Sequence, residues 1–270
     1  MFPRMKSGRV FQLKKLLKDK FLNMKIAVCV YGLPRGNKKT WTSLVNAICK
    51  PLDADLFIHT WMLKDDVLTH TGIPQPKRLE ALTLSTFFFQ KYERTRSVII
   101  DYQLQHAPKT ITKPWGIVYW SNQVNMFLSL LRVSKTCKEF GNYDAVIFTR
   151  SDICFQEQIS LKTLKDVPGG MAHGGIKQKD VGIDFDDVFF IIKNRSSIDI
   201  FRSILDSYFS NYYQCNDVYN IIPNRCTELN IVVSNLNYKY GASFFIHRPY
   251  SIKRIKSALL RRFKAFTQCI

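Results

Sequence analysis

The chain has 270 residues, 46% of them hydrophobic, and a formal net charge of +19. That length supports one large domain or two small ones, and no Pro-rich or Gly/Ser-rich linker, repeat or low-complexity tract divides it. The charge sits at the ends: residues 1–25 and 248–270 supply +7 each, leaving +5 for the 222 residues between. A nucleic-acid-binding domain carries its basic residues across the body of the fold, so no nucleic-acid partner is expected.

In chain order, residues 1–23 form a basic segment in which Val10, Leu13, Leu16, Leu17 and Phe21 recur at helical spacing. They show no secretory pattern. Ile26–Tyr31 is an apolar run closed by Gly32, as in a buried strand. Lys39–Cys49 repeats Trp41, Leu44, Val45 and Ile48 as a helix would, and "ADLFIHTW" (54–61) reads as a second strand. This order predicts a parallel βαβ unit. Residues 64–114 hold several prolines and short apolar runs such as "SVII" (97–100) but no clear period.

Trp120–Phe140 carries the strongest helical period, with Val124, Phe127, Leu128, Leu131 and Val133 on one side and Gly141-Asn142 as its stop. "YDAVIFTRSDICF" (143–155) reads as a strand whose end carries charge, and "DDVFFIIK" (186–193) as a strand opened by acids. Ser197–Phe209 and Thr227–Asn237 read as helices, and "ASFFIHRPY" (242–250) as the strand that closes the core. The expected class is α/β: a Rossmann-type, mostly parallel sheet flanked by helices, over residues 24–250. Residues 251–270 repeat Ile252, Ile255, Leu259, Leu260, Phe263 and Phe266 among lysines and arginines without one acid. Such a basic amphipathic helix lies on an anionic membrane surface or packs its apolar face on the domain. The acid-free C-terminal tail favours the membrane, hence a cytoplasmic protein peripheral to the inner face. No apolar run near the start approaches the roughly 20 residues that span a bilayer.

The seven cysteines (29, 49, 137, 154, 215, 226, 269) are dispersed, with no Cys-x-x-Cys spacing. They read as reduced thiols rather than a disulfide frame or a zinc site. The five histidines likewise show no ligand spacing, and His59, inside a strand pattern, reads as structural.

The loop "VYGLPRGNKKT" (30–40) follows the first strand. A nucleotide-triphosphate P-loop needs Gly-x4-Gly-Lys-Ser/Thr, whereas here Gly32-x3-Gly36 is followed by Asn37. Three readings remain. Pro34-Arg35-Gly36 and Thr40-Trp41 loosely resemble the phosphosulfate loop of sulfotransferases, with Asn37–Lys39 inserted. Alternatively the loop edges a nucleotide-diphosphate site beyond a strand's carboxyl end. There Gly32 ends the strand, Arg35 or Lys38 neutralises the pyrophosphate and Tyr31 borders the base. The third reading is a plain turn with a solvated basic loop.

In 143–155 the chain is apolar from Ala145 to Phe148, emerges as Thr149-Arg150-Ser151-Asp152, and is apolar again from Ile153. A carboxylate at such a strand end is costly unless paired or metal-bound. One outcome is that Asp152 simply pairs with Arg150.

Several motifs in order resemble bacterial and viral glycosyltransferases of surface polysaccharides, in the lipopolysaccharide and capsule class. "VYGLPRG" matches their first strand; Asp55, Phe57, His59 and Trp61 match an Asp-x-Phe-x-His-x-Trp strand. Tyr143, Asp144, Arg150, Asp152 and Phe155 match a Tyr-Asp…Arg-x-Asp-x-x-Phe segment, and Asp186 or Asp187, Glu228 and Arg248 match later positions.

The resemblance covers about residues 24–250. It implies a GT-A fold, a nucleotide-sugar donor, a glycan or glycolipid acceptor, and Mn²⁺ or Mg²⁺ held at Asp152 to bridge the donor phosphates. Sugar-nucleotide glycosyltransferases of the GT-A type carry Asp-x-Asp at this strand end; here only the last acid is present, and Arg150 is the alternative cation.

A general base on the acceptor hydroxyl falls to Asp186 and Asp187, which follow a loop containing Gly169, Gly170, Gly174 and Gly175. Glu228 is a second candidate or a helix-dipole partner. Two other classes compete: a sulfotransferase-like enzyme, and a non-catalytic basic module for anionic lipid or nucleic acid.

Overall fold

The computed structural model describes residues 24–62, 91–102, 110–113, 116–167, 170–174, 188–193, 196–210, 218–236 and 243–246. The basic segments 1–23 and 251–270, with their predicted membrane-surface role, lie outside the described residues.

The chain opens with β1 (Ile26–Tyr31), α1 (Lys38–Leu44, continued by a π-helical turn Val45–Cys49) and β2 (Asp55–Met62). β1 and β2 pair in parallel, so the predicted βαβ unit is present. The stretch without a clear period contains β3 (Thr95–Tyr102), parallel to β2, and β4 (Thr110–Lys113), which forms a small hairpin with β5 (Gly116–Tyr119) just beyond it. Then come α2 (Trp120–Phe140), β6 (Ala145–Arg150), β7 (Ile153–Phe155), α3 (Leu161–Asp166), β8 (Gly170–Gly174) and β9 (Phe189–Lys193). The described elements end with α4 (Ser197–Ser210), α5 (Val218–Glu228), β10 (Val233–Leu236) and β11 (Phe244–Ile246).

Seven strands form one sheet in the order β10-β8-β9-β6-β1-β2-β3. Only β9 runs against its neighbours, β6 and β8; the other pairs are parallel. This is the expected mostly parallel, helix-flanked α/β sheet. Both faces are covered, which explains why β1 reads as one uninterrupted apolar run. Its alternate residues Ile26, Val28 and Val30 join the core beneath α1, while Ala27, Cys29 and Tyr31 join the core beneath α2, α4 and α5. In α2, Val124, Phe127, Leu130 and Val133 are buried against the sheet, and Leu128 and Leu131 flank that stripe. The five described cysteines are buried free thiols.

Three expectations need correction. Thr227–Asn237 is not a helix. α5 starts earlier, at Val218, and stops at Glu228; Asn230 then takes φ 53°, the left-handed conformation that ends helices. The β-branched Ile231, Val232 and Val233 lead into β10, which pairs in parallel with β8. Second, residues 143–155 form two strands, because Ser151 and Asp152 make a turn that takes β7 out of the main sheet. Third, the described part of 242–250, β11, pairs with β7 in a separate two-stranded ribbon and does not close the core sheet.

Candidate active site

The strand order reverses at β1: β2 lies on one side of it and β6 on the other. Ligands of open α/β sheets bind beyond the carboxyl ends of strands at such a switch point. A small cleft, with about 10 Å³ of room for a water-sized molecule and partly open to solvent, lies there. Its walls come from the end of β1 and its loop (Tyr31, Gly32, Pro34, Gly36), from Trp41 of α1, from His59 and Thr60 of β2, and from Ser151 after β6.

Ser151 anchors the loop. Its Oγ accepts the N–H groups of Arg35 and Gly36, each at 3.1 Å, and donates to the Leu33 carbonyl at 3.1 Å. Gly36 makes this approach possible: a Cβ there would stand 2.5 Å from the Ser151 carbonyl oxygen and 2.8 Å from Trp41 Nε1. Asn37 caps α1, accepting from Lys39 N–H at 2.9 Å and Thr40 N–H at 3.1 Å, while Thr40 Oγ1 accepts the Asn37 N–H at 2.9 Å.

The amides of residues 35, 36, 37, 39 and 40 are therefore committed to side chains of the protein, and this loop is not a backbone phosphate cradle. Any anion here meets side chains instead. Arg35 is half-buried beside the cleft and Lys38 is exposed. Tyr31 is 1% exposed, with its ring centroid 6.2 Å from that of Phe190.

At the end of β6, Arg150 and Asp152 form a two-pronged ion pair. Nε donates to Oδ1 at 3.0 Å and Nη2 to Oδ2 at 2.6 Å. The Asp152 side chain is fully buried and that of Arg150 is 17% exposed. Ser151, between them, faces the cleft. With both oxygens held by a guanidinium and no exposed surface, Asp152 does not fit the accessible carboxylate a hard divalent cation requires. Among the described residues no cluster of three acidic, His or Cys side chains would complete such a cage.

Asp186 and Asp187 lie outside the described residues, as does Arg248. The next residue, Val188, accepts the Arg150 N–H at 3.3 Å. Glu228 ends α5 rather than starting a helix and pairs with Arg225. Asp55 lies at the opening of β2, at the other end of the sheet, where Tyr143, Arg94 and Arg96 contact it. Burial pushes its carboxyl up, but those partners together outweigh burial and hold it below the usual carboxylate range.

Sequence reasoning missed the polar network under the cleft. His59, fully buried, places Nε2 3.0 Å from Asp101 Oδ2 on β3 and Nδ1 2.7 Å from Ser129 Oγ on α2. Arg132 of α2 also binds Asp101, and its guanidinium lies 5.6 Å from the Trp61 ring centre. Burial outweighs the Asp101 carboxylate and pushes the imidazole's pKa down, so it is neutral at pH 7. The available signal was Asn125 and Ser129, polar residues one turn apart within the apolar stripe of α2; both are buried.

No protein-family model matches the chain, and no curated protein matches it. Among solved structures it is similar to the apo-form glycosyltransferase GlyE of Streptococcus pneumoniae TIGR4, with a TM-score of 0.43 and 12% identity over 78% of this chain. The match takes in 45% of the GlyE chain, so this chain spans less than half the length of that neighbour.

Proposed function

We propose that the chain transfers a sugar from a nucleotide-sugar donor to a glycan or glycolipid acceptor, in surface-polysaccharide synthesis and with a GT-A-type site. The observation that carries this reading is the cleft at the switch point, between the basic loop after β1 and the Arg150-Ser151-Asp152 turn after β6. In this reading the cations for the donor diphosphate are Arg35 and Lys38 of the loop, with the Arg150 guanidinium, held by Asp152, flanking Ser151. Asp186 or Asp187 removes the acceptor proton as the hydroxyl attacks. No step is assigned to a divalent ion, because Asp152 is occupied by Arg150. The basic termini hold the enzyme at an anionic membrane surface; among the described residues no helix is long and apolar enough to cross a membrane.

The test is thermal unfolding with UDP, GDP, CDP, ADP and adenosine 3′,5′-bisphosphate, each with Mn²⁺ and with EDTA, followed by nucleotide-sugar hydrolysis. Ligand at a hundred times its Kd adds about 2.7 kcal/mol of stability. One nucleoside diphosphate is expected to raise the midpoint, and its sugar conjugate to be hydrolysed. A response to adenosine 3′,5′-bisphosphate alone would transfer the site to sulfotransferase chemistry. Silence with every nucleotide would remove the enzyme reading.

A further inference from the structure

Successive side chains of β2 point to opposite faces of the sheet, and two of them converge on Gly32. Thr60, on the α1 face, donates its hydroxyl to the Gly32 carbonyl at 3.0 Å. His59, on the α2 face, reaches Gly32 through Ser129, whose Oγ accepts the Gly32 N–H at 2.7 Å. The Asp101 carboxylate can only accept, so His59 Nε2 carries the proton. Nδ1 then accepts from the Ser129 hydroxyl, leaving a lone pair of that oxygen for Gly32. This proton order follows from the network.

Gly32 has φ +93°, and nothing lies within 4 Å of where a Cβ would be. Packing therefore does not hold this turn; hydrogen bonds do. Ser129, His59 and Asp101 share the spacing of a hydrolytic triad. Yet Ser129 and His59 are both fully buried, and the serine oxygen is engaged by a main-chain amide.

We propose that His59, Ser129 and Thr60 are positioning residues that clamp Gly32 from both faces of the sheet and fix the mouth of the cleft in its ligand-binding shape. The proposal rests on the cleft being the donor site. Thr60 fixes the carbonyl, the Ser129–His59 relay fixes the amide, and Asp101 with Arg132 sets the imidazole's tautomer.

The two ring nitrogens can be separated. His59→Asn puts an acceptor near Nδ1 and keeps the Ser129 link while losing Asp101. His59→Gln keeps a donor near Nε2 for Asp101 and loses Ser129. The readouts are hydrogen exchange of the Gly32 amide, referenced to Val28 in β1 to remove global opening, and the Kd of whichever of UDP, GDP, CDP or ADP binds the wild type.

Relative Gly32 exchange is expected to rise about tenfold in Ser129→Ala and His59→Gln and to stay near wild type in His59→Asn, with Kd weakening in the same order. Unchanged exchange in Ser129→Ala, equal effects of the two His59 variants, or faster exchange with unaltered Kd would each overturn the proposal. If these variants fail to fold, the isosteric Thr60→Val tests the other side of the clamp: weaker nucleotide binding supports it and unaltered binding overturns it. If the wild type binds no nucleoside diphosphate, the donor reading fails while the exchange order still decides whether the clamp exists.

Discussion

Asp152→Asn perturbs the ion pair at the end of β6 while keeping its shape. The neutral amide can still accept from Arg150 Nε, but it loses the 2.6 Å bond from Nη2 to Oδ2 and the negative charge that Asp152 sets against a mostly buried guanidinium. Removing one member of a buried pair costs about 3–5 kcal/mol. One surviving hydrogen bond and the 17% exposure of Arg150 place this case at the low end, about 3 kcal/mol. Arg150→Met combined with Asp152→Leu removes both charges and their desolvation, so it should lie within about 1 kcal/mol of wild type. Urea titrations of the two singles and the double, with the slope checked for constancy, measure this directly. A cost below about 1 kcal/mol for Asp152→Asn would mean that the carboxylate is not locked to Arg150, and would restore it as a metal ligand. A double variant as unstable as the singles would refute the pairing energetics. The folded double variant should also lose nucleoside-diphosphate binding; binding at wild-type strength would take Arg150 out of the site.

Gly36→Ala drives a Cβ into the Ser151 carbonyl and the Trp41 indole, and should cost about 2–3 kcal/mol in urea unfolding while weakening any ligand of the cleft. His173, fully buried on β8, has its pKa pushed down to about 4 by burial. Its folded value lies below the unfolded one near 6.5, so its stabilisation is complete above pH 6.5 and falls as pH drops toward 4, by about 3 kcal/mol. His59, also depressed, adds to the same acid limb. His173→Gln should flatten stability between those pH values; an unchanged profile would assign the limb elsewhere. Lys193 Nζ donates to the carbonyls of Leu164, Lys165 and Val167 at 3.0, 3.2 and 2.9 Å, closing the end of α3. Lys193→Met should therefore lower the unfolding free energy by about 1.5 kcal/mol, measured in the same urea titration.

The amphipathic period of α2 and the unbroken apolar run of β1 were legible because burial on one stripe, or on both faces, is written directly into residue order. The α5–β10 region was misread because the apolar residues after Asn230 serve a strand, and a short apolar run has no period of its own to separate the two. The reversal of β9 was hidden for a related reason: strand direction depends on which neighbour accepts the hydrogen bonds, and apolar content is the same either way.

At the site, the residue types were legible and their roles were not. Composition and spacing by themselves determined an α/β chain with basic ends, a basic loop after β1, and an Arg and an Asp where β6 surfaces. Only the tertiary structure decided that these two side chains neutralise each other, that Ser151 consumes the loop's amides, and that His59 and Thr60 meet at Gly32. Apart from the Arg150–Asp152 pair, two positions apart, those contacts join residues roughly 30 to 120 positions apart, and hydrogen bonding depends on distances of about 3 Å that the fold sets. Sequence order fixes which groups are available; the closing of the sheet determines which of them find partners.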